Sequence, residues 1–270
     1  MIIDQTIEIL KNNHKNFIDD LLISELRIGL FLTGIKLSDG SIGVSGTVPP
    51  PDSELHCNKE NRDFGDFTPC QFKEKKIIDL LEYKKKNPLI ESLKVAALNA
   101  ISSKIIENST YKILHNTDPI DLIDLDAART IALVGAFPSY IRRISSTKNK
   151  LFVLELNEGA LDANFRKYFV PAERYPAILP VSDIVIITGL TLVNDTFDKL
   201  LENTMPESQV IVTGPSSSFI PDVLFEKGVK IIGSVRITDP ETALNLISEG
   251  GTGYHLFRYC AEKICILRDP

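Results

Sequence analysis

The sequence predicts an α/β protein in which a small α+β unit precedes a doubly wound parallel sheet. The second half of the chain alternates short, continuous apolar runs with helical stretches, as in parallel sheets that are covered on both faces. The first half combines helical spacing with a hairpin signal. Because 270 residues suffice for two hydrophobic cores, we place the two domains at residues 1–115 and 116–270.

Composition excludes several classes of protein. The 30 basic and 36 acidic residues give a net charge of −6, which argues against a general nucleic-acid binder. No apolar run reaches the roughly 18 residues that a membrane span requires, so we expect no membrane partner. Four cysteines without a CxxC pair favour reduced thiols and a cytoplasmic protein.

The first domain is expected to be a helix, a hairpin and two further helices. Apolar residues from Ile2 to Leu22 follow helical spacing. The strand-type runs 26–37 and 42–48 flank Asp39-Gly40, a turn pair that favours a hairpin. Residues 49–72, with three consecutive prolines, predict a long loop. Helical patterns follow at 75–85 and 89–106.

The second domain is expected to contain five buried strands and an edge strand. The strands are predicted at 130–134, 151–154, 183–187, 209–212 and 230–232, and the edge strand at 263–267. Predicted helices at 195–203, 221–227 and 239–250 begin and end with capping residues or Pro and Gly signals. Consecutive βαβ units of this kind build an open, doubly wound sheet.

Ligands of such sheets bind beyond the carboxyl ends of the strands, where the strand order reverses. The loops there are rich in glycine, hydroxyl groups and free backbone N–H groups, which suit a polar or anionic ligand. The candidate ligand-binding residues of these loops are Gly135, Phe137, Pro138, Glu155, Thr188, Thr191, Asn194, Gly214, Pro215 and Ser216. For the Thr, Asn and Ser residues, turns and helix capping are the simpler explanation.

Gly135 and Glu155 favour a nucleotide-type ligand. An acidic residue about 20 positions after the first glycine turn commonly binds ribose hydroxyls, and these two residues are separated by that distance. The sequence GAFPSY lacks the second glycine that pyrophosphate needs, which disfavours NAD and leaves S-adenosylmethionine as a candidate cofactor. The alternative is a plain turn and a solvated strand end. No GxSxG or P-loop sequence occurs.

A metal site is the competing hypothesis. His56 and Cys57 lie in the long loop with Asp63, Asp66 and Cys70, and such ligands favour a divalent transition metal such as zinc, nickel or copper. Against this, Cys57 and Cys70 are too far apart for a zinc-knuckle pair.

Several strings resemble the heavy-metal chelation domain family, a family of unknown function. They are FLTGIKLSDGSIGVSGT, AALNAI, ALVGAFPS, DIVIITGLTLVNDTFDKLL and GPSSSFIPDVLFEKGVKIIGSVRITDPE. The resemblance implies an enolase N-terminal-like domain, a Rossmann-like domain and a site in the cleft between them. Thr33, Lys36 and Asn99 would then face the strand-end loops. The stretch Ser45-Gly46-Thr47 departs from the more apolar or aromatic sequence expected there.

These observations leave two principal hypotheses. The first is a small-molecule enzyme, such as a transferase in heavy-metal chelation or chelator biosynthesis, with Lys36, Asn99 and Glu155 as its catalytic residues. The second is a protein that binds a metal or metal chelate without catalysis. Asn99 also lies among Ala97, Leu98 and Ala100, and an unpaired buried amide costs about 1–3 kcal/mol, so we expect it to have a partner or ligand.

Overall fold

The computed structural model of the protein describes residues 1–50 and 65–268. Its first helices are α1 (Ile2–Asn13) and α2 (Lys15–Asp19). The helical pattern over 2–22 is thus interrupted at His14, where φ is −132° and the backbone leaves the helical region. Leu22 instead forms a β-bridge with Lys76.

A three-stranded antiparallel sheet follows, with order β1 (Ile23–Ile28), β2 (Leu32–Leu37) and β3 (Ile42–Gly46). The Asp39-Gly40 turn joins β2 to β3 as expected, and Gly40 has the positive φ of +84° that such a turn requires. The run over 26–37, however, spans parts of two strands, because the chain reverses after Gly29, whose N–H donates to Leu32 O at 2.8 Å.

Helix α4 connects the two halves of the molecule. It runs over Pro88–Glu107 after the short α3 (Ile77–Leu81). Asn87 caps it by accepting a hydrogen bond from Leu89 N at 2.9 Å. A Cβ at Gly43 would lie 2.0 Å from Ala96 O, so glycine is what allows β3 to approach this helix.

The large sheet has eight strands among the described residues, in the order β4-β11-β10-β9-β8-β5-β6-β7. The class is therefore α/β, as predicted. Strands β5 to β10 are mutually parallel, but β11 is antiparallel to β10 and β4 to β11, so the sheet is mixed rather than wholly parallel. The strands are β4 (Lys112–His115), β5 (Thr130–Val134), β6 (Lys150–Glu155), β7 (Phe169–Pro171), β8 (Ile184–Thr188), β9 (Gln209–Thr213), β10 (Val229–Ile237) and β11 (Ala261–Leu267).

Helices and turns join these strands. The helices are α5 (Pro138–Ser145), α6 (Tyr175–Ile178), α7 (Leu190–Val193), α8 (Phe197–Leu201), α9 (Asp222–Glu226), α10 (Pro240–Ser248) and α11 (Gly253–Tyr259). Short 3-10 helices lie at Gly65–Phe67, Pro119–Leu122, Glu158–Ala160, Ala163–Tyr168, Ala172–Arg174, Leu179–Val181 and Pro215–Ser217.

Both faces of the large sheet are buried. Along β5, Ala132 and Val134 join a core that includes Leu93 and Ala97 of α4, whereas Ile131 and Leu133 join the core on the opposite face. The first half of the chain therefore shares a continuous hydrophobic core with one face of the large sheet. The domain boundary at residue 115 stays a prediction. Strand β4 lies on the N-terminal side of this boundary, yet it pairs with β11 in the large sheet.

The strand order reverses between β5 and β8. From β5 the chain continues outward through β6 and β7, and it then returns to place β8, β9 and β10 on the other side of β5. A crevice beyond the carboxyl ends of the strands is expected at such a reversal.

Candidate functional site

The loops that follow β5, β6, β8 and β9 meet at one edge of the sheet, since these strands are parallel. Backbone hydrogen bonds continue past the strand ends and hold neighbouring loops together. Gly189 N donates to Thr213 O at 2.8 Å, and Gly214 N donates to Gly233 O at 3.1 Å. The loop residues singled out from the sequence are thus assembled along one edge.

Gly135 and Glu155 lie together at the reversal. Gly135 has a φ of +101°, and a Cβ on it would be 3.1 Å from Thr188 Cγ2. The Glu155 carboxylate accepts a hydrogen bond from Ala136 N at 2.9 Å and another from Leu156 N at 2.7 Å. The ends of β5, β6 and β8 therefore converge on the glycine turn, with one carboxylate fixed beside it.

Helix α5 starts directly after this turn. Pro138 occupies its first position, and the preceding Phe137 offers no side-chain acceptor to cap it. The Phe137 ring stacks on Tyr140, with 5.4 Å between the ring centroids. Tyr140 donates to the carboxylate of Asp118, and burial together with this hydrogen bond raises the pKa of the Tyr140 phenol. The uncapped N-terminus of α5 carries the partial positive charge that attracts anions.

Thr188, Thr191 and Asn194 shape the loop after β8. Thr191 Oγ1 donates to Thr188 O at 2.6 Å, and Asn194 Oδ1 accepts from Thr196 Oγ1 at 2.7 Å. Thr188 is half-buried, Thr191 is buried and Asn194 is exposed. These contacts are the local turn and capping interactions that were the simpler explanation for such residues.

Three serines follow Gly214-Pro215, and the first of them, Ser216, contacts the first half of the chain. Ser216 Oγ accepts from Gly46 N at 2.8 Å. Ser217 Oγ donates to Gly214 O at 2.8 Å, and Ser218 Oγ accepts from Val235 N at 3.0 Å. Each hydroxyl therefore contacts a backbone group of the protein, which is the turn role rather than the anion-binding role.

Asn99 is the polar residue of α4 that reaches this edge. It is 2% exposed, and its Nδ2 donates to Val44 O at 2.8 Å and to Pro215 O at 2.9 Å. The expectation of a partner is thus met for the amide nitrogen. Its Oδ1 is buried and has no hydrogen-bond partner within residues 1–50 and 65–268.

Thr33 and Lys36 do not share a face of β2. Thr33 is fully buried, and its Oγ1 lies 2.9 Å from Thr47 Oγ1. Lys36 is three residues further along, so it projects from the opposite face, the one on which Gly34 approaches Ile247 of α10. The structure therefore does not bring Lys36 together with Glu155 and Asn99.

Two cavities lie between the halves of the chain. The larger, of about 1170 Å³, is bounded by α1, residues 81–94 and the loop 192–195, and it includes Asn194. The smaller, of about 400 Å³, lies between α4, the β2–β3 turn and the last residues of β10. It includes Asn99 but also Ser234 and Arg236, which the sequence analysis missed because β10 extends five residues beyond the predicted strand end at Ile232.

The metal hypothesis rests on residues outside the described ones, since His56 and Cys57 fall between residues 50 and 65. Within the described parts of the chain, no three His, Cys, Asp or Glu side chains are grouped so that they could hold a metal ion. The donor set there does not fit a protein-held transition metal. Nor does that part of the chain contain a helix whose length and apolar character would allow it to cross a membrane.

Comparisons with known proteins agree with the resemblance noted in the sequence. Over 179 residues, the chain is 29% identical to an uncharacterized protein of Methanocaldococcus jannaschii. The match covers 64% of this chain and 64% of that protein. Crystal structures of two proteins of unknown function from the DUF364 family share the fold. The Pyrococcus horikoshii protein has a TM-score of 0.74 at 23% identity, covering 99% of this chain and 98% of its own. The Desulfitobacterium hafniense protein has a TM-score of 0.73 at 20% identity, covering 99% and 97%.

Family models cover both halves of the chain. One matches residues 12–102 and the other residues 118–266, and both carry the description "Putative heavy-metal chelation". With more than half of its length matched by the second model, the chain belongs to the DUF364 heavy-metal chelation family.

Proposed function

We propose that this protein is a small-molecule enzyme that binds a nucleoside-type cofactor, of the S-adenosylmethionine kind, at the strand-order reversal. The second reactant would lie in the cleft between residues 1–115 and the large sheet. In this proposal the parallel part of the sheet is Rossmann-like and doubly wound, and the three-stranded unit with α4 is enolase N-terminal-like. The order of the parallel strands supports the first assignment, because counted from β5 it runs 3-2-1-4-5-6.

The observation that carries the proposal is the contact between Glu155 and the Gly135-Ala136 turn. In nucleotide-binding sheets of this order, the acidic residue that ends the second strand binds ribose hydroxyls next to the first glycine turn. Glu155 ends the second strand here, and Ala136 N donates to it at 2.9 Å. Each carboxylate oxygen can accept a further hydrogen bond, so Glu155 can still receive ribose hydroxyls.

The turn favours a cofactor without pyrophosphate. Phe137 stands where a second glycine would let the backbone approach a diphosphate. The uncapped start of α5 favours instead a single carboxylate, such as that of the methionine part of S-adenosylmethionine.

The family description, heavy-metal chelation, is consistent with this proposal if the enzyme takes part in the synthesis of a chelator. An enzyme that builds a chelator needs a cofactor site and a substrate site, but no metal ligands of its own. Direct metal or metal-chelate binding is the second candidate, favoured by the same description, and His56 and Cys57 would be its ligands.

A thermal-unfolding screen of tag-free protein tests the proposal. The ligands are S-adenosylmethionine, S-adenosylhomocysteine, adenosine, NAD, and the chlorides of zinc, nickel and copper. A ligand at 100 times its Kd adds about 2.7 kcal/mol to the free energy of unfolding. We expect stabilisation by S-adenosylmethionine or S-adenosylhomocysteine that is lost in Glu155→Gln and kept in Glu158→Gln, an exposed glutamate three residues away. Stabilisation by metal alone, lost in Cys57→Ser, would replace the proposal with the metal-binding function.

A further inference from the structure

The smaller cavity lies outside the cofactor site proposed above, within the cleft between residues 1–115 and the large sheet. Its volume of about 400 Å³ lies within the range of small-molecule pockets, roughly 300–1,000 Å³. It is walled by α4 and the β2–β3 turn on one side, and by the large-sheet strands β10 and β4 on the other.

The inner wall presents an acceptor without a donor. Both hydrogens of Asn99 Nδ2 are engaged, by Val44 O at 2.8 Å and Pro215 O at 2.9 Å. Turning the amide over would set its oxygen against these two carbonyl oxygens, so the orientation is fixed. Oδ1 is left as a buried acceptor with no partner among the described residues, a rare condition in folded proteins. Asn99 lines the cavity, so a ligand there would lie next to the side chain that lacks a donor.

A hydroxyl group stands free on the wall formed by β10. Ser234 is 4% exposed and lines the cavity, and its side chain makes no hydrogen bond with the described residues. The neighbouring Ser218 is different, because its hydroxyl accepts from Val235 N and donates to Pro215 O. Ser234 can therefore donate to, or accept from, a ligand.

The outer wall holds two cations, and each is paired with a carboxylate. Lys104 lies 3.5 Å from Glu107, and Arg236 is paired with Glu262. Arg236 donates through Nε to Glu262, which leaves its terminal N–H groups available. His115 also lines the cavity, and its Nδ1 lies 3.1 Å from Glu262. A ligand carboxylate placed at this wall could accept hydrogen bonds from the terminal N–H groups of Arg236.

We propose that this cavity binds an amino acid. Its ammonium group would donate to Asn99 Oδ1, and its carboxylate would be held by the guanidinium of Arg236. Ser234 would contribute a hydrogen bond between these two ends.

The test is titration calorimetry of the full chain, without any nucleoside ligand, against the twenty standard amino acids, ethanolamine and acetate. We expect at least one amino acid to bind with a saturable isotherm. Ethanolamine and acetate, each carrying only one of the two charged ends, should bind at least about 10-fold more weakly. Failure of every amino acid to bind, or equal binding of ethanolamine or acetate, would overturn the proposal.

Variants locate the binding. Arg236→Met removes the cation, and Ser234→Val fills the cavity with a residue that suits a strand. Each should weaken binding about 10-fold or more. The control is Arg143→Met, since Arg143 is likewise exposed and paired with one carboxylate, Asp121, away from the cavity. Binding that survives both cavity variants, or that falls equally in the control, contradicts the assignment. The binding affinity of Asn99→Ala is informative only if circular dichroism shows that this variant is folded.

Discussion

Glu155 fixes the end of β6 to the turn after β5 by accepting a hydrogen bond from Ala136 N at 2.9 Å. This contact sets one carboxylate beside Gly135, at the point where the strand order reverses. Glu155 orders the turn and is the proposed ligand contact, so its replacement should affect both folding and binding, and the two effects can be separated by measurement.

Replacing Glu155 by Gln should lower stability modestly. The two carboxylate oxygens of Glu155 accept from Ala136 N and Leu156 N, and glutamine keeps only one such oxygen. The expected loss is therefore about 1 kcal/mol in the free energy of unfolding. Urea denaturation measures it, with Glu158→Gln expected to lie within about 0.5 kcal/mol of the parent protein. A loss of several kcal/mol would mean that Glu155 is mainly a structural residue.

Asn99→Ala should be more damaging, because it removes the donor to the buried Val44 carbonyl oxygen. Pro215 O also loses one hydrogen bond but keeps the one from Ser218 Oγ, and the expected cost is about 2 kcal/mol. Ser103→Ala, on the same helix, removes only a bond to Ala100 O three residues back and should change stability by about 0.5 kcal/mol at most. Equal denaturation midpoints for the two variants would contradict this account of Asn99.

Gly43→Ala tests the approach of β3 to α4. The added Cβ would lie 2.0 Å from Ala96 O and 2.3 Å from Ala100 N, both backbone atoms that cannot move independently. We expect a loss of roughly 3 kcal/mol, at the upper end of the usual cost of overpacking, and hence a fall in Tm of roughly 6–12 °C. Gly253→Ala meets nothing within 4 Å and should leave Tm unchanged within about 2 °C.

Glu262 should contribute to acid sensitivity. The Arg236 guanidinium, with His115 beside it, holds the pKa of the Glu262 carboxyl below its usual value. A folded-state pKa below the unfolded one gives stability that is present above the unfolded pKa, about 4.3, and is lost as the pH falls through the folded value. Between about pH 5 and pH 3, Glu262→Gln should therefore lose less stability than the parent protein. The exposed Glu249→Gln serves as control, and parallel curves for all three proteins would contradict the prediction.

Cys265 should resist alkylation in the folded protein. Burial, followed by the nearby carboxylate of Asp118, raises the pKa of its thiol to about 12. At pH 8 its thiolate fraction is then on the order of 10³-fold below that of an ordinary thiol with a pKa near 8.5. Peptide mass spectrometry after brief iodoacetamide treatment should find Cys70, which is exposed, labelled well before Cys265. Equal labelling before denaturant is added would contradict the burial of Cys265.

The sequence predicted the strands best where they are buried on both faces. Thr130–Val134 was located to the residue, since its apolar run is continuous. The final strand was expected at an edge, yet β11 lies between β10 and β4. The edge strand β4 was missed, because its four residues, Lys-Ile-Leu-His, contain only two apolar side chains and are too short a stretch to give a signal.

For the candidate site, the sequence located the loops but not the hydrogen bonds within them. Parallel strands bring their carboxyl ends to one edge, so the neighbourhood of Gly135, Glu155 and Thr188 could be anticipated. The faces of β2 could have been separated by counting, because Thr33 and Lys36 differ by an odd number of positions. The place of Arg236 in a strand could not be predicted from such counting. The pairing of β10 with β9 ends at Gly233, and Arg236 lies in the part of β10 that pairs only with β11, which is distant in sequence.

The proposed function requires that the strand-order reversal holds a nucleoside-type ligand. The most direct test is an amide chemical-shift map of the ¹⁵N-labelled protein titrated with S-adenosylmethionine. We predict saturable shifts at Gly135, Ala136 and Gly189, abolished in Glu155→Gln and retained in Glu158→Gln. No shift at these amides, or shifts confined to the cavity beside Ser234 and Arg236, would contradict the claim.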